Sequence, residues 1–78
     1  MKIGTVTGVV WSSRKAPSLM GQTFLVVTTS EGEVVAADQV GAGRGDQVLL
    51  VTGTAATRFC MEAPVDAAVV AILDQGEK

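Results

Sequence analysis

The sequence predicts a small all-β domain, a five-stranded closed or partly closed barrel with one short helix. Three observations predict it. Five short runs rich in Val, Ile, Leu and Thr follow one another, with turn signals between them. Only one segment carries a helix-start pattern. The chain has 78 residues, so 1–78 reads as a single domain.

Residues 2–11 (KIGTVTGVVW) form the first run. Its β-branched residues suit a pleated surface, and Gly4 and Gly8 inside it mark a bend or a close backbone approach, as at a barrel corner. Residues 12–22 (SSRKAPSLMGQ) contain Pro17, Gly21 and three serines, which makes them a loop. The second run, 23–29, and the third, 34–37, are joined through residues 30–33. That connection has hairpin length, with Gly32 available for a positive φ. Residues 38–46 hold three glycines within five positions, a loop that needs unusual backbone angles or tight backbone packing. The fourth run is 47–52. Behind it, Gly53-Thr54-Ala55-Ala56 fits a helix start with Thr54 as N-cap, limited downstream by Pro64. The fifth run is 67–73, followed by a short polar tail.

A domain this short buries only about 60% of its unfolded-chain surface and is marginal alone. One cysteine allows no intrachain disulfide, and with no histidine Cys60 cannot build a structural zinc site. Oligomerisation is the remaining common remedy. Composition agrees: 47% hydrophobic and 18% charged residues make a lean surface for so small a monomer, as though a partner covers part of it.

Net charge is −2, and the scattered cations make no basic stripe of the kind that binds nucleic acid. Met1-Lys2-Ile3-Gly4 leads into strand pattern rather than a signal peptide, and no window resembles a membrane span. The expectation is a soluble, cytoplasmic chain.

Motifs of chemistry are sparse. Gly41-Ala42-Gly43-Arg44-Gly45 departs from the dinucleotide fingerprint in spacing, and a strand rather than a helix follows it. The lack of histidine removes the usual base, and leaves Cys60 without a nucleophile's partner; Cys60 reads as a small buried hydrophobe whose replacement leaves assembly intact. Asp38, Asp46, Asp66 and Asp74 sit beside turns or strand ends, where local hydrogen bonding is the common role of Asp. Trp11, Phe24 and Phe59 are the only aromatics, few for a single-strand nucleic-acid platform. The reading is therefore non-enzymatic, with no cofactor and no metal. A small OB-like barrel that binds single-stranded nucleic acid is the alternative.

An ordered series of motifs carries a resemblance. Ser13-Arg14-Lys15-Ala16-Pro17-Ser18-Leu19-Met20-Gly21 follows the first strand. Ala37-Asp38-x-Val40-Gly41-Ala42-Gly43-x-Gly45-Asp46-x-Val48-Leu49 comes next, then Gly53-Thr54-Ala55-Ala56-x-Arg58. Pro64-Val65-Asp66-Ala67-Ala68-Val69-Val70-Ala71-Ile72-Leu73-Asp74 closes the series. Together they resemble the EutN/CcmL family of bacterial microcompartment vertex proteins over nearly the whole chain. The resemblance implies a five-stranded barrel similar to an OB-fold that forms a homopentamer. In the family such pentamers cap the five-fold vertices of carboxysome and metabolosome shells, beside hexameric shell proteins that tile the facets. It implies a location in a microcompartment shell in the cytoplasm, with no nucleic acid or membrane as partner. The connection at 30–33 is shorter than in many relatives.

A ring subunit needs two different, complementary flanks. Gly41, Ala42, Gly43, Arg44 and Gly45 are candidates for a loop at the ring axis, where glycines admit close backbones; a turn elsewhere on the barrel is the alternative. Ser13, Arg14, Lys15, Pro17 and Ser18 lie on the longest loop and are candidates for contact with the next subunit or a neighbouring tile.

Overall fold

A computed structural model describes residues 1–59 and 65–74. Five strands account for most of them: β1 (Lys2–Val10), β2 (Phe24–Thr29), β3 (Gly32–Asp38), β4 (Gln47–Thr52) and β5 (Ala67–Leu73). Two 3-10 turns, Pro17–Leu19 and Gly53–Arg58, lie between strands. The sheet closes in the order β1-β2-β3-β5-β4 and back to β1. All neighbours are antiparallel except β3 and β5, which run parallel through Ala37↔Ala68 and Asp38↔Val69. Closure leaves no long open edge to template aggregation.

The strands expected from the sequence are all present. β4 and β5 have the expected limits, and β3 is longer at both ends because Gly32 and Glu33 pair with Thr29 and Thr28 and Asp38 pairs with Val69. Gly32 takes φ +118°, as the hairpin demanded. The turn is held locally: the Glu31 N–H donates to Thr29 Oγ1 at 3.1 Å, and Thr29 Oγ1 donates to the Gly32 carbonyl at 2.9 Å. Lys2 at the start of β1 forms an ion pair with Glu31 at the hairpin tip. That hydrogen bond and charge hold the Glu31 carboxyl below its ordinary range. The small stabilisation belongs to the pH range above that group's unfolded value and fades as pH falls through the folded one.

The short helix is a 3-10 turn, and its cap differs from expectation. Thr54 lies inside the turn, and Thr52 stands at the N-cap in extended conformation with no side-chain cap bond. Gly53, at φ +69°, turns the chain at that point. Thr54 instead offers its carbonyl to Thr57 Oγ1 at 2.6 Å. The first 3-10 turn falls within the segment expected to be a loop. Pro17 presets its φ, and the Leu19 N–H closes it on the Ala16 carbonyl at 2.9 Å.

The pleat sorts the apolar runs into two cores. Val6, Leu25, Val27, Ala36, Val48, Leu50, Ala67 and Val69 are buried together inside the barrel. Their chain neighbours Ala37, Val51 and Ala68 point the other way and form a second cluster with Ala56 of the second 3-10 turn. Leu19, Phe24, Val65 and Val70 pack against that outer cluster. The two turns therefore act as covers on one outer side of the barrel. Three alanines at this contact keep the turn close to the sheet.

Gly4 is where β1 pairs with both β2 and β4, opposite Thr29 and Val48. A Cβ there would come within 2.6 Å of Val27 Cγ1 and 2.7 Å of the Thr28 carbonyl oxygen. This is the close backbone approach expected of a glycine inside the first strand. Gly8 has room, but it adjoins the irregularity between Val6 and Gly8 where the β1–β2 register shifts.

Candidate functional site

Two candidate segments lead from the sequence, and the structure treats them differently. The glycine loop connects β3 to β4 and is organised by two carboxylates. Asp38 Oδ1, at the end of β3, accepts the N–H groups of Val40 and Gly41 at 3.1 Å each and of Ala42 at 3.3 Å. Asp46 Oδ2 accepts the Gly43 N–H at 2.9 Å, while the Asp46 N–H donates to the Gly43 carbonyl at 3.0 Å. Gly45 then donates to the Val6 carbonyl at 2.8 Å, and Val6 donates to the Asp46 carbonyl at 2.9 Å. The loop is thereby tied to β1.

This arrangement decides what the loop can do. A phosphate cradle needs free backbone N–H groups pointing at the anion. Here four consecutive N–H groups, from residues 40 to 43, are engaged by negatively charged side chains. Asp38 and Asp46 thus act as loop organisers, in the local role expected of Asp beside turns.

The glycines do not share the strain equally. Gly41 and Gly45 take φ +79° and +93°, and a Cβ on either would meet nothing within 4 Å. Their requirement is conformational. Gly43, the glycine at the centre of the motif, has no positive φ, and its nearest neighbour would be Asp46 Oδ2 at 4.0 Å. The unusual backbone angles expected of this loop are therefore found at Gly41 and Gly45 and not at Gly43. Gly45→Val and Gly41→Val are expected to cost about 1–3 kcal/mol each as strained positions. Gly43→Ala is expected to stay within about 0.5 kcal/mol of the parent, as an open surface substitution. Urea unfolding at fixed protein concentration measures all three, and equal losses at 41, 43 and 45 would contradict this assignment.

The 12–22 loop contributes to a concave surface. Val10, Leu19, Phe24 and Val35 line an apolar groove of about 370 Å³, and Ser12, Arg14 and Lys15 border it. Of the residues singled out on this loop, the groove brings Arg14 and Lys15 together. Ser13, Pro17 and Ser18 are exposed and do not line it. The four apolar lining residues were missed by motif reading. For Phe24 and Val35 part of the signal was available, since the runs FLVV and VVAA that hold them do not alternate with polar residues. A strand that is apolar on both faces has both faces to cover.

Other exposed apolar side chains enlarge the surface that calls for a partner. Trp11 at the end of β1 is 86% exposed, and Ile3 and Met20 are more than half exposed. Among the described residues, no three of His, Cys, Asp and Glu gather into a metal-binding group, and no helix is long and apolar enough to cross a membrane. Cys60 and Pro64 lie outside the described residues.

A small closed barrel with apolar outer strand faces and carboxylates turned onto its own loop defines a subunit built for assembly. Comparison with known proteins supplies the family. The family model described as "Ethanolamine utilisation protein EutN/carboxysome" matches residues 1–74. The carboxysome shell vertex protein CcmL of Synechococcus elongatus is 48% identical over 83 residues, covering 95% of this chain and 84% of that protein. The microcompartment shell vertex protein PduN of Salmonella typhimurium is 40% identical, covering 95% and 96%. Among solved structures, the pentameric microcompartment shell protein GrpN of Rhodospirillum rubrum superposes with a TM-score of 0.86 at 36% identity, covering 100% of this chain and 99% of that one. The CcmL structure from Gloeobacter violaceus gives 0.87 at 40% identity, covering 100% and 90%. The chain belongs to the EutN/CcmL family of microcompartment shell vertex proteins. Membership makes it a structural shell protein and not an enzyme.

Proposed function

We propose that five copies of this chain close into a ring, and that the ring caps the five-fold vertices of a polyhedral microcompartment shell in the cytoplasm, with hexameric shell proteins as its neighbours. The observation that carries this reading is the end-to-end match to a relative whose structure is a pentameric shell protein. The apolar outer faces of the barrel support it independently, since a subunit of 78 residues gains in a ring the burial it lacks alone. The glycine loop at 41–45 is proposed to face the ring axis. Its carboxylate-organised backbone would give the axis a loop of defined shape.

The nucleic-acid reading draws little support. Phe24 packs against the outer cluster, which leaves Trp11 and Phe59 as the exposed aromatics, too few for a stacking platform. Barrel likeness alone carries no function.

Co-expression with the facet protein of the same shell tests the proposal. Electron cryomicroscopy of purified shells is expected to place a five-fold density at the vertices that disappears when this chain is omitted. Density for this chain spread through the facets would contradict the vertex role.

A further inference from the structure

The barrel presents a second apolar surface, on a different side from the groove. Ile3 of β1 lies opposite Leu49 of β4, which lies opposite Ala71 of β5. Leu49 stands between the fully buried Val48 and Leu50, so the pleat turns it outward. Ile3 is 61% exposed. These three side chains form a row across adjacent strands, and the next row ends at Leu73, followed by the exposed Asp74. The groove belongs to the other side, where β1 ends and β2 and β3 run: Val10 pairs with Phe24, and Val35 with Val26. In the closed order β1-β2-β3-β5-β4, a stripe on β1, β4 and β5 and a groove over β2 and β3 face different neighbours.

We infer that the ring closes by seating the Ile3–Leu49 stripe of one subunit in the Val10–Phe24–Val35 groove of the next copy. The inference rests on the ring reading above and assigns its two flanks. A cyclic ring needs two unlike surfaces on one subunit, each complementary to the other. The groove is concave, and the stripe presents the exposed Ile3 side chain to enter it. Their charges are also of opposite sign. Arg14 and Lys15 border the groove, and Asp74 stands at the edge of the stripe, an arrangement that fixes register and disfavours groove-to-groove pairing. Burial of both surfaces also covers Ile3, Val10 and Val35, which are exposed in the isolated subunit and belong to neither core cluster.

Two variants test the assignment, Ile3→Arg on the stripe and Val35→Arg on the groove. Both positions are more than half exposed in the isolated subunit, so the charge is accommodated in the monomer and desolvated only at the interface. Each variant alone is expected to lose the ring and run as a monomer of about 8 kDa. An equimolar mixture is expected to form a one-to-one dimer and stop there. The groove of the Ile3→Arg chain accepts the stripe of the Val35→Arg chain, and the remaining two surfaces both carry the added arginine. Native mass spectrometry of isotopically distinguished chains reads this directly.

Rings formed by either variant alone at the wild-type yield would overturn the assignment. So would two monomeric variants with native far-UV circular dichroism that fail to pair on mixing. Where an arginine variant loses its native spectrum, Ile3→Ser and Val35→Ser are compared at the ring's midpoint of dissociation. Each should raise the concentration needed for assembly at least tenfold, and no shift in either would overturn the assignment. A wild-type chain that forms no ring overturns the ring reading itself, a result distinguishable from failure of the mixing experiment.

Discussion

Shells produced without this chain, or any paralogue of it, are expected to be elongated, open or leaky, while the facet proteins still assemble into sheets or tubes. The reason is geometric. A lattice of hexagonal tiles is flat or cylindrical, and it closes only where five-fold units replace six-fold ones. A pentamer of small barrels supplies such a unit without any chemistry of its own. Asp38 and Asp46 serve the shape of the loop by accepting backbone N–H groups. Electron microscopy of the deletion strain, with the fraction of closed polyhedra as the readout, measures the effect. Normal closed polyhedra in that strain would remove the vertex role whatever the oligomeric state. Re-supplying the gene should restore closure.

The largest effect of a single added methyl group on the folded barrel is expected at Gly4. Its absent Cβ is bounded by Val27 Cγ1 at 2.6 Å and by the Thr28 carbonyl oxygen at 2.7 Å. The second contact is backbone, on a strand whose own hydrogen bonds hold it in place. Relief therefore requires β1 to move away from β2, and β1 is also paired with β4 through the same residue. Gly4→Ala is expected to cost about 1–3 kcal/mol by overpacking, and Gly4→Val more. For a domain of this size each kcal/mol lowers Tm by about 4–8 °C, so Gly4→Ala should melt well below the parent. Gly8→Ala is the matched control, because a Cβ at Gly8 finds only ordinary contact with Val26 at 3.8 Å. Calorimetry at equal protein concentration checks the pair. Similar Tm values for the two variants would show that β1 has more freedom than this packing implies.

The strands were legible because each apolar run is bounded by turn residues, and Gln47–Thr52 and Ala67–Leu73 begin and end where the composition changes. Gly32 was legible because a hairpin of that length demands one residue with positive φ. Inside the 41–45 motif the same reasoning loses resolution. The spacing shows three glycines, but only the folded loop, tied by Asp38 and Asp46, shows that Gly41 and Gly45 turn left-handed and Gly43 does not. Thr54 was read as a cap because caps and 3-10 interiors share Ser and Thr; Gly53 makes the turn one residue earlier. The groove was the least legible part. Val10, Phe24 and Val35 are ordinary strand residues in sequence. Only the register places them on one outer surface beside Leu19, which is brought there by the Pro17–Leu19 turn. Arg14 and Lys15 could be picked out as loop cations, yet what they border depends on that fold-back.

Native mass spectrometry of the purified wild-type chain at micromolar concentration tests the central claim most directly. One subunit weighs 8.0 kDa, so a closed ring of five is expected at about 40 kDa. Its urea midpoint should rise with protein concentration, because association stabilises the folded subunit by mass action. A single species at 8.0 kDa with a concentration-independent midpoint would contradict the account.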